Sequence, residues 1–241
     1  MTPNDVKRTE IVNINSVEKD NGNIVVGVTG KEKFVHLPFN KKDKYFMNPI
    51  DFIKFIKATE SSIRHSTEYS RYIAYLKNDV GLQNCALFPN IGSDVPIEFH
   101  HMIFTLFDIV EIQIAHLFKQ GDRINSSNVA HHVLKDHFEN IILLVPLCEM
   151  AHKAYHASLI TNSGIKKYFI DIRSGWGSLY DFVKKYKDSM SMTHYLKLKR
   201  YFEEYQKYAV NPDKPSVFGE SITKWADIFN GEEARESTET A

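Results

Sequence analysis

Residues 98 to 156 hold eight of the chain's 11 histidines, at positions 100, 101, 116, 131, 132, 137, 152 and 156. The window opens with Glu98-Phe99-His100-His101 and closes with His152-Lys153-Ala154-Tyr155-His156. Its two ends demand different local structures. Ile97-Glu98-Phe99 reads as a short strand that ends on the histidine pair. His152 and His156 are four apart, so they share one face of a helix. Adjacent residues of a regular strand face opposite ways. His100 and His101 therefore reach one site only if the chain bends at the strand end.

The segments between these ends follow from apolar spacing and caps. Residues 102–119 form a helix that is apolar on most sides, hence buried, with Gly121 to stop it. Ser126 or Ser127 caps a further helix to about residue 138. Ile141 to Val145 is an extended run, and residues 148–158 carry the HxxxH helix. Upstream, residues 9–38 read as a β-meander, with strands at 11–14, 24–28 and 34–37 and a strong turn at Asp20-Asn21-Gly22. The charged linker Lys41–Lys44 follows. Residues 49–78 are helical, with a break near Ser61-Ser62. The irregular stretch 79–96 carries a short strand at Cys85–Phe88. Downstream come a strand at 167–170, the Gly175-Trp176-Gly177 loop, helices at 178–189 and 193–209, and a short helix at 223–229 docked by Trp225. The last dozen residues read as disordered.

Four regions result: a β-meander over 1–45, a helical region over 46–162, a C-terminal helical region over 163–229 and an acidic tail over 230–241. The fold class is α+β and mostly helical. The apolar and charged fractions, 43% and 25%, are those of an ordinary globular protein. No apolar run approaches the roughly 20 residues of a membrane span, and the N-terminus lacks the apolar core of a signal peptide. The chain reads as cytoplasmic. Two cysteines, Cys85 and Cys148, exclude a four-cysteine zinc site and fit buried free thiols better than a disulfide.

Histidine both binds divalent metals and exchanges protons near neutral pH. An isolated HxxxH pair is more often two surface histidines than a metal site, and His100-His101 alone is weak. Together they are more specific. A strand ending in Glu-x-His-His, a downstream Asn, and Pro-Leu-Cys-x-x-x-His-x-x-x-His resemble the HNH endonuclease family over about 60 residues, and the insert-rich layout resembles its phage-encoded members. That family has a ββα-metal core in which two strands and a helix surround a divalent cation. The resemblance implies that His101 is the base that activates water, that His100, His152 and His156 bind the cation, and that Asn140 positions the base or touches the metal. Glu98 would hold a neighbouring group in place. The cation would be Mg, Mn, Zn or Ni, and the reaction metal-dependent hydrolysis of DNA phosphodiester bonds in the host cytoplasm. Asn140 competes with a simpler role as a helix cap, and His137 competes with it for the site. His116 reads as a core residue, His131 and His132 as packing or surface, and His36, His65 and His194 carry no signal.

Formal net charge is zero, which counts against a nucleic-acid binder. Its distribution is uneven. Residues 163–210 hold ten Lys or Arg against five acids, and residues 230–241 hold four Glu against one Arg. Lys184, Lys185, Lys197 and Arg200 could track the phosphates of double-stranded DNA, or line an ordinary amphipathic helix pair. Two other functions compete with the nuclease. One is a non-catalytic DNA-binding or phage-associated interaction protein on a degenerate HNH scaffold. The other is a zinc hydrolase with three histidine ligands and a different substrate. The missing Glu inside the HxxxH pair argues against an HExxH peptidase.

Overall fold

The computed structural model describes residues 48–88, 90–91, 95–156, 169–211, 214–219 and 225, and the backbone of three strands nearer the N-terminus. Those strands, β1 (Val17–Asp20), β2 (Asn23–Val26) and β3 (Val35–Leu37), pair antiparallel in that order. The register joins Asp20 to Asn23; of the turn expected at Asp20-Asn21-Gly22, Asn21 and Gly22 lie outside the described residues. Among the described residues the first strand begins at Val17. The expected strand at 11–14, the 41–44 linker, the bulk of the 223–229 helix and the acidic tail lie outside the described residues.

Caps decide where the helices begin. Asn48 accepts the N–H of Ile50 at 3.0 Å and Pro49 fills the first turn of α1 (Pro49–Arg64). The break expected at Ser61-Ser62 falls later, because Ser66 accepts the N–H of Tyr69 at 3.1 Å and starts α2 (Thr67–Asn78). The strand expected at Cys85–Phe88 does not form, although Ala86 donates its N–H to the Pro146 carbonyl at 2.8 Å.

β4 (Ile97–His101) runs antiparallel to β5 (Leu144–Cys148), pairing Ile97 with Cys148 and His101 with Leu144. β5 thus starts three residues after the expected run. Ile142 and Leu143 are buried but precede the ladder. Between the strands lie α3 (Leu106–Gln120) and α4 (Ser126–Phe138). α3 begins later than the apolar spacing implies, since Ile103 has φ 68° and Thr105 forms a reciprocal capping box with Asp108. Gly121, at φ 73°, ends it as expected. α4 is capped by Asn125, whose side chain accepts the N–H of Asn128 at 2.8 Å, and not by Ser126 or Ser127.

α5 (Glu149–His156) leaves β5 directly. Of the strand expected at 167–170, residues 167 and 168 lie outside the described residues and Phe169 and Ile170 form none; a 3₁₀ turn follows at Ile172–Ser174. α6 (Leu179–Tyr186) passes into a 3₁₀ turn at Lys187–Ser189, and α7 (Met192–Tyr208) follows. The described residues are therefore mostly helical, an α+β arrangement in which α1, α3 and α4 pack on one another and the β4–β5 ladder lies alongside. α3 supplies the centre of the core with Ile109, Val110, Ile112, Ile114 and Leu117, each at most 4% exposed. Burying one such side chain contributes about 1.5–3 kcal/mol. Trp225 packs on Phe202 with ring centroids 4.3 Å apart. The Gly175-Trp176-Gly177 loop docks on β5, where Trp176 and Leu144 exchange backbone hydrogen bonds of 2.8 and 2.9 Å.

Candidate functional site

The pleat of β4 sorts its side chains onto two faces. Glu98 and His100 face α5, while Phe99 and His101 face α2 and α4. The strand stays paired through His101, so the bend that would bring both histidines to one point is not made. On the α5 side, the His100 ring lies 5.0 Å from that of His152 and 4.3 Å from that of Tyr155. The carboxylate of Glu98 contacts Nδ1 of His152. His100 is buried, whereas Glu98 remains half exposed. Burial of Tyr155, and then the charge of Glu204, push its hydroxyl up to about 12. His156 belongs to α5, but its side chain lies outside the described residues.

On the other face His101 is fully enclosed. Its Nε2 lies 3.1 Å from Nε2 of His137, and its ring stacks on Tyr69. Nδ1 of His137 lies 2.7 Å from the Val133 carbonyl, which can only accept, so this nitrogen carries the proton. Nε2 of His137 is then an acceptor, and His101 donates to it from its own Nε2. Both imidazoles are held neutral. Burial lowers His101 well below the usual histidine value, helped by repulsion from a protonated His137, by the Arg64 cation, and by any charge on His100 or His152. Burial likewise lowers His137 to about 4, against the favourable bond to Val133. His101 therefore faces protein and not water.

Asn140 ends α4. It adopts φ 55°, its N–H reaches the His137 carbonyl at 3.0 Å, and the next N–H, of Ile141, reaches Asp136 at 3.1 Å. This is a Schellman ending with Asn in the left-handed position. Its side-chain oxygen accepts from the Trp176 indole at 2.7 Å and the Tyr72 hydroxyl at 3.3 Å. Asn140 thus ties α4, α2 and the Trp176 loop together.

Three of the four basic residues expected to line a DNA surface lie near acids instead. Lys185 reaches Asp136 at 2.7 Å and Glu139 at 3.3 Å, Lys197 reaches Asp108 at 2.6 Å, and Arg200 lies 3.9 Å from Glu204. Lys184 is exposed. These bonds set a test. Asp136 is 1% exposed, accepts from the Tyr186 hydroxyl at 2.7 Å, and is raised by burial despite both partners. Lys185→Met should cost about 2–3 kcal/mol, the penalty of a buried carboxylate that loses its cation. Lys184→Met should stay within about 0.5 kcal/mol of wild type. Urea denaturation of the two variants measures the difference, and equal costs would remove the structural role from Lys185.

Asp108, Glu111 and His194 bring three ligand-type atoms together, a grouping that sequence spacing does not reveal. Their hydrogen bonds show what the cluster does. Nδ1 of His194 accepts the Ser191 backbone N–H at 3.1 Å, so Nε2 carries the proton and points it at Glu111 and Asp108, 3.4 and 3.7 Å away. The ammonium of Lys197 already supplies the cation. Asp108 uses its second oxygen to cap α3 through Thr105. The group is an ion-paired joint between α3 and α7.

A family model described as bacteriophage G278-like virion protein matches residues 1–233. The chain belongs to that family. Neither a curated protein nor a solved structure matches it. This match overturns the expectation of an HNH endonuclease, and with it the hydrolase and nuclease activities assigned to the histidine window. The resemblance rested on about 60 residues, whereas the virion family accounts for nearly the whole chain. A strand pair followed by a helix does not itself imply an HNH core. No described helix is long and apolar enough to cross a membrane.

Proposed function

We propose that this member of the bacteriophage G278-like virion protein family is a non-catalytic component of the phage particle, an interaction module whose partners are other particle proteins. The family match over residues 1–233 carries this reading. The site geometry supports it. His101 and Asn140 spend their polar atoms on holding α2, α4 and the Trp176 loop in place. The basic side chains expected to grip phosphate are mostly neutralised within the fold. DNA is therefore the less favoured partner.

The test is location. Particles of a phage that encodes this chain are purified by density gradient, washed in high salt and treated with nuclease. Quantitative mass spectrometry should find the chain at a fixed copy number per particle, and antibodies should label intact particles or their disassembly products. Recovery of the chain only from the lysate supernatant would overturn the proposal.

A further inference from the structure

The chain's two cysteines are distant in sequence and adjacent in space. Cys85 lies in the irregular segment after α2, and Cys148 closes β5. The bond from Ala86 N–H to the Pro146 carbonyl, at 2.8 Å, lays that segment along β5 and brings the thiols together. The two side chains interact directly, and both are free thiols, 1% and 2% exposed. The backbone N–H groups of Met150 and Ala151 at the start of α5 favour a Cys148 thiolate. Burial opposes it and keeps the thiol protonated at rest.

We infer that Cys85 and Cys148 form a latent disulfide site, closed by a low-molecular-weight disulfide of the glutathione type when the irregular segment opens. The Cys148 thiolate attacks one sulfur of the reagent, forms a mixed disulfide and expels one small thiolate. The Cys85 sulfur then attacks Cys148, breaks the mixed disulfide and expels the second. The protein loses two hydrogens and two electrons, and the reagent becomes two thiols. Cys85 sits on the segment without helix or strand, which is where local opening costs least. The closed bridge would tie this segment to the sheet. The bridge stands independently of the proposed place in the particle. That reading adds only the timing, since a particle assembled in a reducing cytosol is released into an oxidising medium.

The experiment incubates the full-length native chain in buffers of stepped oxidised-to-reduced glutathione ratio. Intact-mass and non-reducing peptide mapping follow. The expected product is about 2 Da lighter than the dithiol and yields a linked Cys85–Cys148 peptide. Closing a loop of about 60 residues should raise the unfolding midpoint by about 10 °C, and dithiothreitol should reverse it. A stable glutathione adduct on either cysteine, a disulfide between two chains, or two persisting thiols under conditions that oxidise the urea-unfolded chain would each overturn the inference.

Discussion

Gly177→Ala should destabilise the protein by more than about 4 kcal/mol, among the largest effects of any single methyl group in the chain. Gly177 adopts φ 120°, which L-residues rarely reach. A Cβ there would stand 2.1 Å from the Ile142 carbonyl oxygen and 2.6 Å from its carbon, both backbone atoms that no rotamer change can move. Relief requires the loop to lift off β5. Lifting it breaks the Trp176–Leu144 bridge, the indole bond to Asn140 and the 2.7 Å bond from Ser178 N–H to the Asn140 carbonyl. Gly121 is the control. It also has positive φ, 73°, but a Cβ there meets nothing within 4 Å. Gly121→Ala should therefore cost only the left-handed conformation, about 1–2 kcal/mol. Thermal melts of both variants decide the matter. A Gly177→Ala midpoint as high as that of Gly121→Ala would mean the loop is not anchored as described.

The same loop shows where sequence reading succeeds and where it stops. Helices were legible because their burial is local and periodic, and Gly121 and Pro49 punctuated them by backbone chemistry alone. Boundaries drifted where two signals competed. The apolar run from Ile141 is longer than one strand, and only pairing with Ile97–His101 selects Leu144–Cys148 from it. Cys85–Phe88 has strand composition, yet no ladder forms to stabilise it as one. For the histidines, local spacing placed Glu98 and His100 on one side of a strand and His152 on a nearby helix face. The period of two, applied to His101, already implied the opposite side. What spacing could not show was the long-range partner. His137 comes from α4, 36 residues away, and only tertiary packing sets it against His101. Burial makes His101 and His137 part of the core.

That burial predicts a steep loss of stability in acid. His101 and His137 are neutral in the fold, with one N–H between them and the other directed to Val133. In the unfolded chain each protonates near 6.5. Below that pH the unfolded state binds more protons than the folded one, so stability falls as pH falls. The loss continues down to the folded value, about 4 for His137. Each histidine contributes about 1.4 kcal/mol per pH unit in that window. The pair together should remove about 3 kcal/mol between pH 6.5 and 5, a large share of the 5–15 kcal/mol typical of a domain. Among the described residues no carboxylate acts on the pair itself, although Asp136, raised by burial, takes up its proton more readily in the fold and works against the loss at the acid end. Tyr69 and Tyr72 wall the pair from α2, and the nearby charge is the Arg64 cation at the end of α1, which opposes protonation further. His116 and His132 are lowered chiefly by burial and add in the same direction, but they are only half-buried and contribute less. His137→Gln isolates the effect, because an amide can donate to Val133 and accept from His101 without titrating. Whatever it costs at pH 7.5, its stability should decline with acid about 1.4 kcal/mol per pH unit less steeply than wild type. Urea titrations at half-unit steps from pH 4.5 to 7.5 give both slopes. Parallel curves would show that His137 takes up its proton in the native state at the same pH as in the unfolded chain, so that it is not enclosed as described.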